Sequence, residues 1–325
     1  MVRVCVDAMG GDEKPSVVLE GIAQALSQDP DLQVLVCGAR DVVVPFCDTH
    51  TRACALVTTQ TIDMHEHPAE AVRTKRDSSI VQGCRAVKEH RADGFFSAGS
   101  TGAIFTAATL EIGRLKGVKR PAIAYAVPST SQHRTVFLDL GANADVRPNA
   151  LVQFAAMGRA YSRSMCHVKQ PTVCLLSNGR ESTKGSQNIL EAHAALKVAG
   201  NWFIGNCEPT DIFSDYCDVV VCDGFCGNIT LKTIESTMKF VAQRLKQAAR
   251  TSLGAGIGLT LAAPAFRAIK HDLSGEEHGG AVLLGLNAPV FIGHGSTSQL
   301  AICQGTLACA DAIRSNLVSK LAEDL

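Results

Sequence analysis

Short apolar runs alternate with amphipathic stretches along most of this chain. The runs predict strands at 2–6, 33–37, 53–57, 94–97, 122–127, 136–140, 173–176, 202–204, 218–222 and 290–292. Helical patterns lie between many of them, and this alternation predicts an α/β fold with a largely parallel sheet and helices on both faces. The continuous apolar run at 219–222 is typical of a strand that is covered on both sides.

Apolar positions spaced by three and four residues predict the helices. One helix is expected to begin at Pro148 and another near Ser78. The longest is expected to span 228–250, with Asn228 as its N-terminal cap. Its apolar positions should form one buried stripe. They are Ile234, Met238, Val241, Leu245 and Ala248.

The segment 253–269 is apolar and rich in glycine and alanine, and Pro264 would kink a helix there. It is too short to span a bilayer. It is either a buried helical hairpin or subunit interface, or an exposed apolar tip that touches lipid. We expect residues 1–325 to form a single α/β catalytic domain, with an apolar helical protrusion around 250–275.

Composition narrows the class of protein. The 325 residues include 46% hydrophobic ones, and 31 basic residues balance 31 acidic ones. This balance gives no reason to expect nucleic acid as a partner. The first apolar run is too short, and too soon interrupted by Asp7, for a signal peptide. No window is long enough for a membrane-spanning helix.

The 13 cysteines do not suggest a disulfide framework, because their number is odd and most lie inside apolar runs. We expect reduced core residues of a cytosolic protein. No C-x-x-C pair occurs, and the spacing of Cys222 and Cys226 does not fit a zinc finger, so no metal is predicted.

Four polar, mostly glycine-rich turns each follow an apolar run and precede a helical pattern. They lie at 7–12, 97–102, 223–228 and 293–297. Glycines let backbone N–H groups approach an anion, and helix N-termini favour negative charge. The turns therefore predict an anion or phosphate site, and we expect them to converge on one crevice. Neither the G-x-G-x-x-G nor the G-x-x-x-x-G-K-[ST] nucleotide motif is present.

The substrate-binding candidates come from these turns, from a cation beside a helix start and from a strand end. They are Asp7, Gly10, Gly11, Lys75, Ser97, Gly99, Ser100, Thr101, Gly102, Asn143, Gly224, Gly227, Asn228, Lys232 and Gly295. The same patterns also occur in ordinary tight turns, capped helices and solvated charge clusters, so these alternatives stay open.

Four residues are candidates for the chemistry. Lys184 brings a cation into a loop, and Asp223 follows a buried strand directly into a glycine turn. His294 is a possible acid, base or hydrogen-bond donor, and Ser296 a donor to an anion. Catalytic triads are assembled from distant parts of a chain, and no G-x-S-x-G elbow is present. A covalent serine mechanism is therefore the less favoured hypothesis.

Several ordered blocks resemble the PlsX family of phosphate acyltransferases over almost the whole chain. The blocks include 7–12 with Pro15, 97–103, 140–143, 223–228 and 294–296. Ser100 stands where that family usually has asparagine, and 277–281 departs from its Tyr-Gly-Gly-Ala-Pro stretch. The second departure puts acyl-chain preference in doubt more than reaction type.

The resemblance implies a sheet related to the isocitrate and isopropylmalate dehydrogenases and to phosphotransacetylase. It implies transfer of a fatty acyl group from acyl-acyl-carrier-protein to inorganic phosphate, which gives acyl phosphate for phospholipid synthesis. It also implies a cytoplasmic homodimer, peripheral association with the inner face of the cell membrane, and a downstream glycerol-phosphate acyltransferase. Phosphate is already a nucleophile, so the reaction needs positioned cations and amides rather than a cofactor.

Two other functions stay open at this point: a soluble acyl-CoA phosphotransacylase on the same fold, and a non-catalytic module that binds carrier protein or lipid. A local basic cluster beyond the helix that follows the 97–102 turn is the candidate docking surface for an acidic carrier protein. The cluster consists of Arg114, Lys116, Lys119 and Arg120. A solvated helix end is the simpler interpretation of the same residues.

Overall fold

One sheet of eleven strands organises the chain, with the order β3-β2-β1-β4-β11-β10-β5-β6-β9-β7-β8. The computed structural model describes residues 1–131, 133–274, 279–295 and 298–325. The strands are β1 Val2–Asp7, β2 Leu32–Gly38, β3 Ala53–Val57, β4 Gly94–Ser97, β5 Ala122–Pro128, β6 Arg134–Leu138, β7 Val173–Leu176, β8 Phe203–Cys207, β9 Val219–Val221, β10 Ala281–Leu284 and β11 Val290–Ile292.

Helices connect most of the strands, and a short 3-10 helix spans Pro209–Asp211. The α-helices are α1 Pro15–Gln28, α2 Arg40–Thr49, α3 Pro68–Thr74, α4 Ser79–Lys88, α5 Thr101–Glu111, α6 Pro148–Met165, α7 Gln187–Ala199, α8 Gly224–Ala249, α9 Leu253–Ser274, α10 Gln299–Arg314 and α11 Leu317–Asp324.

The sheet has two parallel blocks that run in opposite directions. Strands β3, β2, β1, β4 and β11 form the first block, and β6, β9, β7 and β8 form the second. Strands β10 and β5 lie between them, and β10 pairs antiparallel with β11 and β5, as β5 does with β6. The carboxyl ends of the two blocks therefore lie at opposite ends of the sheet.

Helices cover both faces of this sheet. Successive strand residues point to alternate faces, so Val4 and Val6 join one apolar core while Cys5 joins the other. Residues of α1, α6, α7, α10 and α11 complete the first core, and residues of α3, α4 and α5 complete the second. The predicted α/β class and the largely parallel sheet are confirmed.

Every apolar run that predicted a strand forms one, with ends that differ by a few residues. Strand β10 was not predicted. The start of α8 was also placed one turn too late: the helix begins at Gly224, and its cap is Asp223 rather than Asn228. The carboxylate of Asp223 accepts a hydrogen bond of 2.7 Å from the backbone N–H of Cys226, which fixes the earlier start.

The predicted buried stripe of the longest helix is wrong for the single chain. Only Gly224 and Gly227, at its start, are buried, and Val241 is 43% exposed. Among the described residues α8 packs chiefly against α9, and this contact leaves the stripe unburied. On α9, Ile257 and Leu261 are 58% and 77% exposed, and the helix continues through Pro264.

Within the described residues, no helix combines the length and the apolar character that crossing a bilayer requires. The pair formed by α8 and α9, joined by a turn at 250–252, is called the helical arm below.

Candidate active site

Three of the four predicted turns meet at the carboxyl ends of β1, β4 and β11, which are neighbours in the sheet. The hydroxyl of Ser97 donates a hydrogen bond of 2.7 Å to Asp7 Oδ2 and accepts one of 3.0 Å from the N–H of Gly99. The N–H of Met9 donates to Asp7 Oδ1 at 2.9 Å. These bonds hold the turn at 7–12 against the turn at 97–102. We call this place the first site.

The turn that contains Gly295 joins the first site through a backbone hydrogen bond. The N–H of Asp12 donates a hydrogen bond of 2.8 Å to the carbonyl of Gly295. Gly10 has no room for a side chain, because a Cβ there would lie 2.6 Å from Asp7 Oδ2 and 2.7 Å from the nitrogen of Gly99. The glycine is therefore required by the close approach of two turns.

The N-terminus of α5 gives the first site its positive end. Ser100 precedes the helix and makes no side-chain cap, and Thr101 is exposed. The first N–H groups of a helix have no partner inside the helix, and the helix dipole adds partial positive charge. A phosphate placed at this turn would meet backbone donors and the Thr101 hydroxyl together.

Asp7 and Ser97 are buried, with 1% and 0% of their surface exposed to solvent. Burial raises the pKa of the Asp7 carboxyl, while hydrogen bonds from Ser79 and Ser97 act in the opposite direction. The geometry therefore makes them the groups that hold the turns, and leaves Ser100 and Thr101 nearer the surface.

A second cluster of polar groups forms at the ends of β6 and β9, and its centre is Asp139. The carboxylate accepts hydrogen bonds from the N–H groups of Ile123, Ala142 and Asn143, at 2.8–3.1 Å, and from Asn143 Nδ2 at 2.9 Å. Burial raises the pKa of Asp139, and these bonds oppose the rise. We call this cluster the second site.

Asp139 was not among the predicted residues. In the sequence Asp139 lies two residues before Gly141-Ala142-Asn143, and this pattern is also typical of an Asx-type turn. The signal that could have identified it is its place directly after a buried strand, because a carboxylate at such a position has to find donors.

The turn that contains Asp223 packs directly on Asp139. The N–H of Gly224 donates a hydrogen bond of 2.8 Å to the carbonyl of Asn143. A Cβ on Gly227 would lie 1.9 Å from the carbonyl oxygen of Asp139. The backbone at the start of α8 therefore packs directly against the backbone of Asp139. Asn228 is exposed on the same turn of α8.

The loop that contains Lys184 follows β7, and β7 is the neighbour of β9. Asn206 pins the loop, since its Nδ2 donates to the carbonyls of Glu181 and Lys184 at 2.9 and 3.4 Å. Lys184 itself is exposed. The second site therefore combines a cation, a helix start and several amides at one end of the sheet.

The expected convergence of all four turns on one crevice is wrong for the single chain. Ile292 of β11 pairs with Ala281 at the start of β10, whereas Leu284 at the end of β10 pairs with Ala122. The turns after β11 and after β6 consequently lie at opposite ends of the sheet. The strand reversal at β10 and β5, which the sequence pattern does not reveal, separates the first site from the second.

Other predicted residues have different surroundings from those expected. Lys75 does not project freely, because its Nζ contacts Glu66 Oε1 at 2.6 Å and the Thr61 carbonyl at 2.8 Å. Lys232 pairs with Glu235 at 2.9 Å. His294 is exposed at the first site, and Ser296 lies outside the described residues.

The basic cluster borders the second site. All four of its residues are exposed in the segment between α5 and β5. Asn143 Nδ2 donates a hydrogen bond of 2.7 Å to the carbonyl of Pro121, the residue that follows Arg120. The cluster and the second site therefore share an end of the sheet.

Comparison with solved structures defines the class of fold. The chain resembles a phosphotransacetylase from Streptococcus pyogenes with a TM-score of 0.61 and 18% identity, over 96% of this chain and 94% of that one. It resembles a branched-chain phosphotransacylase from Enterococcus faecalis V583 with a TM-score of 0.60 and 14% identity, over 96% and 99%. The fold is that of the phosphotransacylases.

Sequence comparison identifies the family. The model of the family described as "Fatty acid synthesis protein" matches residues 2–320. The phosphate acyltransferase of Shouchella clausii is 37% identical over 324 residues, 100% of this chain and 98% of that protein. That of Levilactobacillus brevis is 42% identical over 301 residues, 91% and 87%. The chain belongs to this family, the PlsX family of phosphate acyltransferases.

Asp223 offers a test that separates capping from charge. Asparagine caps helices about as well as aspartate, whereas alanine costs about 0.5–2 kcal/mol. We expect Asp223→Asn to keep the melting temperature and to lower kcat, and Asp223→Ala to lower both. Thermal unfolding and turnover of the two variants check this. Full turnover of a folded Asp223→Asn protein would limit the carboxylate to capping.

Proposed function

We propose that this protein transfers a fatty acyl group from acyl-acyl-carrier-protein to inorganic phosphate, and so releases acyl phosphate and free carrier protein. The observation that supports this most directly is the first site, where buried hydrogen bonds hold two glycine turns around the N-terminus of α5. Phosphate held there attacks the thioester carbonyl without a covalent enzyme intermediate. Catalysis is then chiefly positioning and stabilisation of charge.

Each group of residues has a distinct part in this proposal. Backbone amides of Ser100 and Thr101 hold phosphate, while Asp7, Ser97 and the Gly99 amide position the turns. Lys184 acts across the subunit interface, at the first site of the other protomer, where it faces the charge that develops on the thioester oxygen or on the departing thiolate. Residues 1–325 act as one catalytic unit, from which the helical arm extends.

We also infer that the homodimer completes the active site. Lys184 and Asp223 lie at the opposite end of the sheet from the first site of their own chain, so they cannot act there. Apolar residues next to Asp223 are open to a partner, since Phe225 and Ile229 are 60% and 49% exposed. A two-fold axis would place the second site of one protomer against the first site of its partner.

The central experiment measures the product. The purified protein is incubated with long-chain acyl-acyl-carrier-protein, with and without phosphate, and acyl phosphate is detected by mass spectrometry. We expect acyl phosphate only when phosphate is present. Phosphate-dependent release of CoA from a short acyl-CoA, with the carrier thioester left intact, would favour the soluble phosphotransacylase. Binding of carrier protein without either product would favour the non-catalytic module.

Subunit complementation tests the shared site. A first-site variant such as Gly10→Ala and the second-site variant Lys184→Ala each lose almost all activity in this scheme. After random exchange, half of the dimers are mixed, and each mixed dimer has one intact site, so about 25% of wild-type activity should return. If each chain contained its own complete site, the mixture would stay inactive.

The basic cluster is the proposed docking surface for the acidic carrier protein. We expect Arg114→Glu with Lys116→Glu to raise the Michaelis constant for acyl-acyl-carrier-protein at low salt and to leave that for phosphate unchanged. Lys197→Glu with Lys320→Glu changes the net charge equally at other exposed positions and serves as the control. Equal effects of the two double variants would place docking elsewhere.

The helical arm is the proposed contact with the membrane surface. Ile257 and Leu261 lie close to its turn and are among its most exposed apolar residues. We expect Ile257→Glu with Leu261→Glu to abolish binding to phospholipid vesicles in flotation, because charges at an apolar contact are costly. Gln243→Glu with Gln247→Glu is the matched control, and dimer mass should survive in both. A monomeric Ile257/Leu261 variant would instead make the tip a subunit contact.

A further inference from the structure

Three buried cysteines from separate segments converge in the second block of the sheet. Cys174 lies in β7, Cys207 ends β8, and Cys217 lies two residues before β9. Their Sγ atoms all lie within 4.8 Å of one another, and the residues are 0–2% exposed. All three are free thiols. The fold thus brings together three soft ligand atoms that are not used by either proposed site.

Strand register argues against a disulfide between the first two. Cys174 pairs with Gly205, whereas Cys207 pairs with Leu176, so the two cysteines share a face but are offset by two residues. The usual strand spacing and rise put their Cα atoms about 8 Å apart, beyond the limit of about 7 Å for a disulfide. The Cys174 and Cys207 thiols are therefore close to a common centre but are not placed to form a disulfide with each other.

The spacing of the sulfur atoms fits a metal ion at that centre. Bonds of about 2.3 Å to three sulfurs in a trigonal plane require the sulfurs to lie about 4 Å apart. This separation is slightly smaller than the 4.8 Å within which the three Sγ atoms lie. Thiolates select soft ions such as Cu(I) and Zn²⁺. Among the described residues no histidine or carboxylate joins the group. A site of three sulfurs suits Cu(I), whereas structural zinc takes four ligands.

We propose that Cys174, Cys207 and Cys217 form a binding site for one Cu(I) ion held by three thiolates. Binding releases the remaining thiol protons to water and involves no change of oxidation state. The ion ties the crossover between β8 and β9 to β7, which leads into the Lys184 loop. The alternative is that the three residues pack only as small apolar side chains.

Metal binding is measured directly on the full-length reduced protein under anaerobic conditions. Cu(I) is supplied as its bicinchoninate complex, so that only a tight site can compete for the ion. We expect one equivalent to transfer to the wild type, with an X-ray absorption spectrum that shows three sulfur neighbours. Cys217→Ser and Cys207→Ala should each lower the affinity by more than about 100-fold, since loss of even a supporting group costs 10–100-fold.

Cys303→Ser is the matched control, because Cys303 is also fully buried but lies on α10, outside the cluster. It should bind Cu(I) as the wild type does. No transfer to the wild type, a two-sulfur spectrum, preferential binding of Zn²⁺ in direct competition, or equal loss in Cys303→Ser would each overturn the proposal. The wild-type spectrum decides the question even if a cluster variant does not fold.

Discussion

Gly227→Ala is expected to abolish acyl transfer and to destabilise the protein more than any other single methyl group added at the sites. The new Cβ would lie 1.9 Å from the carbonyl oxygen of Asp139 and 2.9 Å from the sulfur of Cys222. Overpacking usually costs about 1–3 kcal/mol. Here the Asp139 backbone cannot move aside easily, because the carboxylate of the same residue accepts four hydrogen bonds. Helix α8 would have to move away from the second site.

The measurement compares turnover and melting temperature with those of Gly258→Ala. Beyond its own helix backbone, a Cβ at Gly258 of α9 meets no atom of the described residues within 4 Å, and alanine is the better helix former by about 1 kcal/mol. Gly258→Ala should therefore keep or raise the melting temperature. A displacement of about 1 Å at a site can cost about 100-fold in rate. Wild-type turnover in Gly227→Ala would show that the close approach is not needed for catalysis.

Lys184→Ala is expected to lower kcat by about 10²–10³-fold with little change in the melting temperature, because the proposed mechanism makes this lysine a charged donor to a developing negative charge. Its side chain is exposed and makes no ion pair among the described residues. The loop stays pinned, since Asn206 binds the backbone of Lys184 rather than its amine.

Steady-state kinetics with acyl-acyl-carrier-protein and phosphate test this expectation. Lys197→Ala, an exposed lysine in the last turn of α7, is the control and should leave kcat unchanged. Lys184→Arg keeps the charge and should recover part of the rate. A kcat that is unchanged in Lys184→Ala would remove this cation from the mechanism.

The strands could be predicted because most of them are covered on both faces and read as continuous apolar runs. Strand β10 was missed because its four residues, Ala281–Leu284, follow a glycine-rich stretch and precede another glycine. The start of α8 was misplaced because Asp223 and Asn228 are both good capping residues. Only the hydrogen bond to Cys226 decides between them.

The turns that form the sites could also be predicted, but their grouping could not. Glycines and polar residues after strands mark such turns locally, whereas strand order and direction depend on pairing across the whole chain. The pairing of Lys75 with Glu66 and the four donors to Asp139 are likewise products of tertiary structure. Periodicity showed that α8 has an apolar face, but not what covers that face.

The order of the strands has a consequence for synthesis of the chain. Strands β10 and β11 follow the other described strands in the sequence, yet they lie in the middle of the sheet, between β4 and β5. A nascent chain that ends before residue 281 therefore has two half-sheets with unpaired inner edges, and such edges invite aggregation. The hairpin of β10 and β11 joins the halves, so the sheet becomes continuous only after residue 292 has been made.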